Sequence, residues 1–213
     1  MNKEIEIKVP KEWSAVSLKD YLALRKDMET YKDEPEAVVA CMFHHLCHFP
    51  VDYLKGLDVE TYSAIKDDLL GFLGKTEQPL QRFISIDGIE YGFEPDLSKI
   101  AYGAYVDISK YDNIGIDEKW GDIMSILYRP VISKNKTLYS IKAYDGIIDG
   151  DKFLNVNMDV HFGTLFFLIS LLKDLLSCTL SSLKMEELPI NIKSILDANG
   201  KAIAHLSNSQ VII

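Results

Sequence analysis

Residues 82–93 read RFISIDGIEYGF. Phe83, Ile84 and Ile86 lead into Asp87-Gly88, and Ile89, Tyr91 and Phe93 follow it. Asp-Gly between alternating apolar runs is a strong short-range hairpin signal, because a type I′ turn needs positive φ at both central residues. Pro95 closes the second strand. Most of the surrounding sequence has helical periodicity, so this hairpin, with strand signals nearer each end, favours an α+β reading over an all-helical one.

Toward the N-terminus, Lys75 to Leu80 is polar, holds Pro79 and reads as a linker between two halves. A helix precedes it: Asp58 opens it, Gly74 stops it, and Val59, Tyr62, Ile65, Leu69 and Phe72 form its inward face. Another starts at Asp33-Glu34-Pro35, where proline suits the first turn and the acids suit the positive end of the helix dipole. Its apolar residues Val38, Val39, Met42, Phe43 and Leu46 run until Pro50. Ser17, with Asp20 three places on, predicts the N-cap of a helix carrying Leu18, Tyr21, Leu22 and Leu24. Glu4 to Val9 alternates, with Ile5, Ile7 and Val9 on one side, and predicts a strand ended by Pro10.

Toward the C-terminus, apolar spacing predicts short helices over Ala101 to Tyr111 and Glu118 to Tyr128, the second ended by Pro130. Lys136 to Tyr144 alternates like a strand. The longest helix begins near Val156 to Asp159 and reaches about Leu183, apolar nearly all round between Phe162 and Leu172. Such a helix must be covered on most sides, by its own domain or by a partner. The tail from Glu186 to Ile213 is punctuated by Pro189, Asn199-Gly200 and Ser207-Asn208-Ser209 and ends in Val211-Ile212-Ile213. The expected class is therefore α+β, mainly helical: an N-terminal strand and helices over 1–74, a hairpin and helices over 81–185, and an extension over 186–213.

Bulk properties narrow the function classes. The chain has 213 residues and a net charge of −9, which disfavours phosphate backbones. The best basic cluster, Lys134, Lys136 and Lys142, is sparse and lacks arginine, so nucleic acid is not an expected partner. Cys41, Cys47 and Cys178 form no disulfide framework and imply a reducing compartment. The start, MNKEIEIKVPKEW, has no signal-peptide core. Val160 to Leu172, stopped by Lys173 and Asp174, is too short to span a bilayer, so no membrane is expected either.

Candidate chemistry is thin. Cys41, His44 or His45, and His48 recur at helical spacing, and thiolate with imidazole can hold zinc. A structural site normally draws ligands from two segments, and Cys178 and His161 lie far off in sequence. Histidines capping the end of the helix before Pro50 account for the cluster better, so no metal or other cofactor is expected. The acid pairs Asp67-Asp68, Asp149-Asp151 and Glu186-Glu187 read as solvated faces rather than a general acid and base. Gly146 to Gly150 is not a phosphate loop, and no GxSxG or HExxH occurs. No catalytic residue is expected.

The stretch from Tyr91 to Pro130 is more distinctive. It carries Tyr91-Gly-Phe-Glu-Pro95-Asp-Leu97, then Gly103-Ala-Tyr105-Val-Asp-Ile108, then Trp120 and Leu127-Tyr-Arg-Pro130. Arg129 is placed to pair with an acid such as Asp107. Together with the long helix after it, this pattern resembles a group of small proteins encoded among tailed-phage structural genes. They include proteins of phages of Bacteroidetes hosts such as the crAss-like group, and many are described as tail-assembly chaperones or virion proteins. The resemblance covers about residues 1 to 183. The family's usual Gly-Glu-Tyr is Gly103-Ala104-Tyr105 here, and the segment past Met185 lies outside the resemblance. The family implies no catalytic residue.

The resemblance implies a non-enzymatic protein acting by protein–protein contact in the virion or host cytoplasm. Its expected partners are other phage structural or assembly proteins, in a homo- or hetero-oligomer. Phe162, Phe166, Phe167, Val211, Ile212 and Ile213 are the candidate interface residues. The alternatives are a small adaptor that binds a host protein through its acidic surface, and a metal-dependent enzyme built on Cys41, His44 and His48.

Overall fold

The computed structural model describes residues 6–111, 115–135 and 138–182, with side chains of the last helix as far as 177. Residues 1–168 form one compact unit and 169–213 a second. The elements are α1 (Leu18–Thr30), α2 (Pro35–Cys47), α3 (Val59–Leu73), β1 (Phe83–Ile86), β2 (Ile89–Phe93), α4 (Tyr102–Ile108), α5 (Trp120–Leu127), β3 (Tyr128–Asn135), β4 (Leu138–Ile141) and α6 (Met158–Ser182). The fold is α+β and mainly helical.

The helix starts follow from capping chemistry. Ser17 Oγ accepts from the Asp20 N–H at 3.1 Å and donates to the Asp20 carboxylate at 2.7 Å. Asp58 accepts from the Thr61 N–H at 2.8 Å, and Pro35 opens α2. Each satisfies or removes an N–H that the helix itself leaves unpaired. Leu69 and Phe72 of α3 face inward, but Val59 is 82% exposed because it stands in the first turn, beyond the reach of the core.

The described sheet is antiparallel with order β1-β2-β3-β4. Asp87 and Gly88 both take positive φ (52° and 77°), as the two-residue turn between β1 and β2 requires. Strand β3 is a departure from the sequence reading. The helix ends at Leu127, before Pro130 is reached: α5 passes straight into β3 at Tyr128, and Pro130 lies within that strand, paired with Tyr91. The Glu94 N–H donates to the Leu127 carbonyl at 2.8 Å, so the alternation puts Gly92 and Arg129 in the next hydrogen-bonded pair. The missing N–H of Pro130 therefore faces away from β2 and costs that ladder nothing. A register shift between Val131 and Ser133 turns the β3–β4 end. Tyr139 then lies over Gly92, reaches the Phe83 ring at 4.6 Å and donates to the Phe93 carbonyl at 2.7 Å. A Cβ on Gly92 would stand 2.8 Å from Ile141 and 3.0 Å from Tyr139.

Residues 6–10 form no strand, although the alternation of Glu4 to Val9 predicts one; Glu4 and Ile5 lie outside the described residues. Alternation needs a neighbouring strand, and the N-terminal segment makes its main-chain ties only further on. Leu18 N–H donates to the Val156 carbonyl at 3.0 Å, and Met158 N–H to the Val16 carbonyl at 2.8 Å. These bonds fasten the start of α1 to the start of α6.

The core of the first unit centres on Trp13. Its ring lies 4.3 Å from Phe72 and 4.9 Å from Phe162, and its Nε1 donates to the Lys75 carbonyl at 2.7 Å. Contacts of this kind join residues on both sides of 75–80. That stretch is irregular, as expected, but it is not a boundary between subdomains over 1–74 and 81–185.

Helix α6 begins at Met158 and runs through Lys173 and Asp174 to Ser182, close to the expected bounds, and its stretch Met158–Ser177 has the length and mean hydropathy (1.5) to cross a membrane. Its first turns are core, however. Met158, Val160, His161, Phe162, Thr164 and Leu165 are buried. In the second unit the described chain is the rest of this helix, with Leu171, Leu172 and Leu176 half-buried and Lys173 and Asp174 exposed.

Two features hold α6 in place. Residues 79–81 cross it at Gly163, where an added Cβ would lie 2.9 Å from the Pro79 carbonyl carbon and closer still to its oxygen. His161, fully buried, accepts at Nδ1 from the Trp120 indole at 3.1 Å. Indole is only a donor, so the proton sits on Nε2, which donates to the Val156 carbonyl at 3.2 Å. Burial, the dominant cause, lowers the His161 pKa to about 4 against the partial upward pull of the Val156 and Phe153 carbonyls.

Gly163→Ala should lower stability by about 1–3 kcal/mol through forced displacement of backbone, read as a lower urea midpoint. For His161, the folded pKa lies below the ordinary value near 6.5. The unfolded chain then takes up the proton first, so this contribution is whole above about pH 6.5 and is lost as pH falls toward 4. It amounts to about 3 kcal/mol at most. Urea midpoints between pH 7 and 4.5 should therefore fall less steeply in His161→Gln than in the parent. Parallel slopes would contradict the assignment.

Candidate binding groove

A concavity among the described residues runs along β1. It encloses about 430 Å³, within the range of sites that hold ligands. One wall is residues 81, 83–87, and the other is Lys152, Asn155, Val156, Asn157, Asp159 and Val160 from the approach to α6 and its first turn. The crossing at Gly163 sets the first wall, since it fixes where residues 79–81 enter the sheet. Tyr128 holds the same point: its hydroxyl donates to the Gln81 carbonyl at 2.6 Å and lies 3.2 Å from Thr164 Oγ1. Burial pushes the Tyr128 phenol up to about 12, so it remains a donor.

The wall formed by β1 is an outer edge of the described sheet. Phe93 N–H donates to the Arg82 carbonyl at 2.9 Å, and the register pairs Ile84 with Tyr91 and Ile86 with Ile89. Alternation then makes Arg82, Ile84 and Ile86 the residues bonded to β2. The N–H and C=O of Phe83 and Ser85 point the other way, and no described residue pairs with them. Ile84 and Ile86 point their side chains into the core, and Ser85 points outward.

The groove is polar and acidic. Gln81 Nε2 donates to Asp159 Oδ2 at 2.6 Å. Asp159 Oδ1 is shut off from solvent and has no donor among the described residues. Lys152, the cation in the lining, is held by Asp149 at 2.7 Å, which leaves Asp87 and Asp159 to set the sign. The carboxamides of Asn155 and Asn157 are exposed and unbonded among the described residues. The arrangement offers main-chain donors and acceptors on one side, free amides on the other and negative charge between them.

The residues singled out from sequence fall elsewhere. Cys41 is buried on α2 while His44 and His48 are exposed, so the helix spreads rather than gathers them. His45 bonds Asp27 at 2.7 Å. Burial raises the Cys41 thiol and pushes Cys47 up to about 11, which disfavours the thiolate a metal needs. No group of three histidine, cysteine or acidic side chains among the described residues is arranged to hold a metal ion. His48 does close α2, but through its backbone: at φ 51° its N–H donates to the Phe43 carbonyl. Lys134 pairs with Glu90 at 2.9 Å and Lys142 with Asp145 at 2.8 Å, so these cations face acids, while Lys136 and Glu186-Glu187 lie outside the described residues.

Of the candidate interface residues, Phe162 is only 2% exposed and packs on Trp13 and Tyr21, so it is core. Phe166 and Phe167 are half-buried, and Phe167 meets the Phe93 ring at 5.5 Å. Val211, Ile212 and Ile213 lie outside the described residues. Arg129 pairs with Glu94, not Asp107. Asp107 instead accepts from Tyr144 and Lys110. The reason is register: Arg129 sits on β3 beside the end of β2, which brings Glu94 alongside.

Comparison with protein-family models, with curated proteins and with solved structures gave no match. The edge assignment can be checked directly. Amide exchange followed by NMR should show Ile84 and Ile86 protected and Phe83 and Ser85 exchanging near the unprotected rate. Protection of all four alike would mean that the edge is covered.

Proposed function

We propose that this protein works by binding other proteins, as a component of a tailed-phage particle or as a factor in tail assembly, and not by catalysis. The observation that carries the reading is the open edge of β1 along the groove. Unpaired main-chain groups on a sheet edge are a ready template for another polypeptide, and β-strand addition is a recurrent mode of peptide recognition. The polar lining supports a reversible contact, since wet polar surfaces typify interfaces that form and separate.

The phage context is drawn from the resemblance carried by Tyr91 to Pro130. Helix α6 gives further support: past its buried first turns, Phe166, Phe167 and Leu168 keep part of their apolar surface at hand. The net charge of −9 favours basic protein surfaces over nucleic acid as partners.

Mass spectrometry of purified virions, together with affinity capture and cross-linking from cells producing the phage, tests this. Presence in particles is expected for a structural component. Capture of tail or capsid proteins without incorporation is expected for an assembly factor. Capture of host proteins alone would replace the reading with that of a host-directed adaptor, and capture of nothing would remove it.

A further inference from the structure

We propose that the groove takes an extended segment of a partner protein as an added strand on β1, and that this segment carries a lysine or arginine directed at Asp159. The proposal rests on the protein-binding reading above and names the chemistry of its partner.

Three independent features select that occupant. The first is the edge itself. Phe83 and Ser85 each present an N–H and a C=O to the groove, the pattern that an extended main chain satisfies and a helix, whose own groups are paired internally, does not. The second is the far wall. The free carboxamides of Asn155 and Asn157 each offer donors and an acceptor, so they can bond the outer side of the same inserted chain.

The third feature is charge. In an added strand, alternate side chains lie on the face shared by Ile84 and Ile86. That face looks toward the first turn of α6, because Phe153 and Phe167 pack on Tyr91 and Phe93, the residues of β2 on the same side. Asp159 stands in that turn and lines the groove. Among the described residues one oxygen of its carboxylate has a single side-chain donor, Gln81, and the other has none although solvent cannot reach it. A carboxylate so placed gains from any group that brings a further donor, and an ammonium or guanidinium brings charge as well. Gln81, itself in the groove wall, is the side chain that must shift to admit it. Asp87 at the end of β1 adds to the negative field, while Lys152 is neutralised by Asp149. An acidic segment would meet repulsion from both aspartates.

The test uses the full chain and blocked eight-residue peptides of alternating threonine and valine with one central lysine. Companion peptides carry glutamate in place of the lysine, or N-methyl groups on alternate residues. Binding is read by NMR titration and by amide exchange. The lysine peptide is expected to protect the Phe83 and Ser85 amides. The glutamate peptide should bind at least about tenfold more weakly, as should the lysine peptide to Asp159→Asn. The N-methylated peptide should not bind.

Ser85→Pro guards against misfolding in the Asp159 variant. The Ser85 N–H faces away from β2, so proline there spares the hairpin ladder while deleting an edge donor, and it should weaken lysine-peptide binding. Equal binding of the lysine and glutamate peptides, or no binding at millimolar peptide, would overturn the proposal. So would protection of Phe83 and Ser85 by dimerisation alone, which would make a second copy the occupant. Cross-links to a captured partner that avoid residues 81–87 would sink the groove assignment but leave the protein-binding reading intact, whereas failure to capture any partner would sink both.

Discussion

Everything around the groove depends on one backbone crossing. Residues 79–81 pass over α6 at Gly163 with no room for a side chain between them. A glycine in a helix interior costs about 1 kcal/mol relative to alanine, so its presence between Phe162 and Thr164 is a local penalty set against a tertiary gain. The gain is position. The crossing places Gln81 beside Asp159, puts the Gln81 carbonyl under the Tyr128 hydroxyl, and starts β1 along the approach to α6. Had the crossing been looser, the two walls of the groove would have no fixed spacing.

Buried polar groups near α6 divide into two kinds. The Trp120–His161–Val156 chain and the Tyr128–Gln81–Thr164 cluster are satisfied, and each joins α6 to a different part of the unit. Satisfied networks in a low-dielectric interior fix one arrangement, because every alternative strands a donor or acceptor. Arg129 and Asp159 are of the other kind. Arg129 gives Nη2 to Glu94 and keeps Nε and Nη1 unpaired among the described residues, but its guanidinium stands 5.9 Å from the Tyr144 ring centre, where the π face compensates part of the loss. Asp159 has no such neighbour among the described residues. The difference matters: the arginine is accounted for within its own surroundings, and the aspartate is not.

Local signals made much of this fold legible. Asp87-Gly88 specified the hairpin because few residues tolerate its φ values, and Ser17, Pro35 and Asp58 marked helix starts because their side chains suit an N-terminus. Strand β3 escaped because Tyr128 to Pro130 follows a helix without a turn and contains a proline, whose tolerance depends on which side of the strand faces the partner. The described part of the strand expected over Glu4 to Val9, residues 6–9, forms none for the complementary reason: alternation describes one chain, and a strand needs two. The groove was illegible because its walls lie some seventy residues apart and Asp159, read alone, is an ordinary acid in a first helical turn. The available clue was Gly163, since a glycine inside an apolar helical run implies close contact with something.

The two outer strands of the sheet show why β1 is the edge open to addition. Natural sheets blunt their edges with bulges, lysines or short strands. β4 is guarded in this way: the register shift at Val131/Ser133 bends its end of the sheet, and Lys142 follows it directly. β1 has no bulge against β2 and no lysine within it; its guards are shortness and the Lys134 ammonium, which reaches over the Phe83 ring at 3.6 Å on the face away from Ile84 and Ile86. Four residues leave two facing outward, enough to fix the direction and phase of an incoming chain but too few to hold one by main-chain bonds against the entropy of ordering it. Main-chain bonding is also blind to sequence. Both deficits are met by a side-chain contact at a fixed distance from the edge, and the under-bonded carboxylate of Asp159 on the facing wall stands where that contact would form.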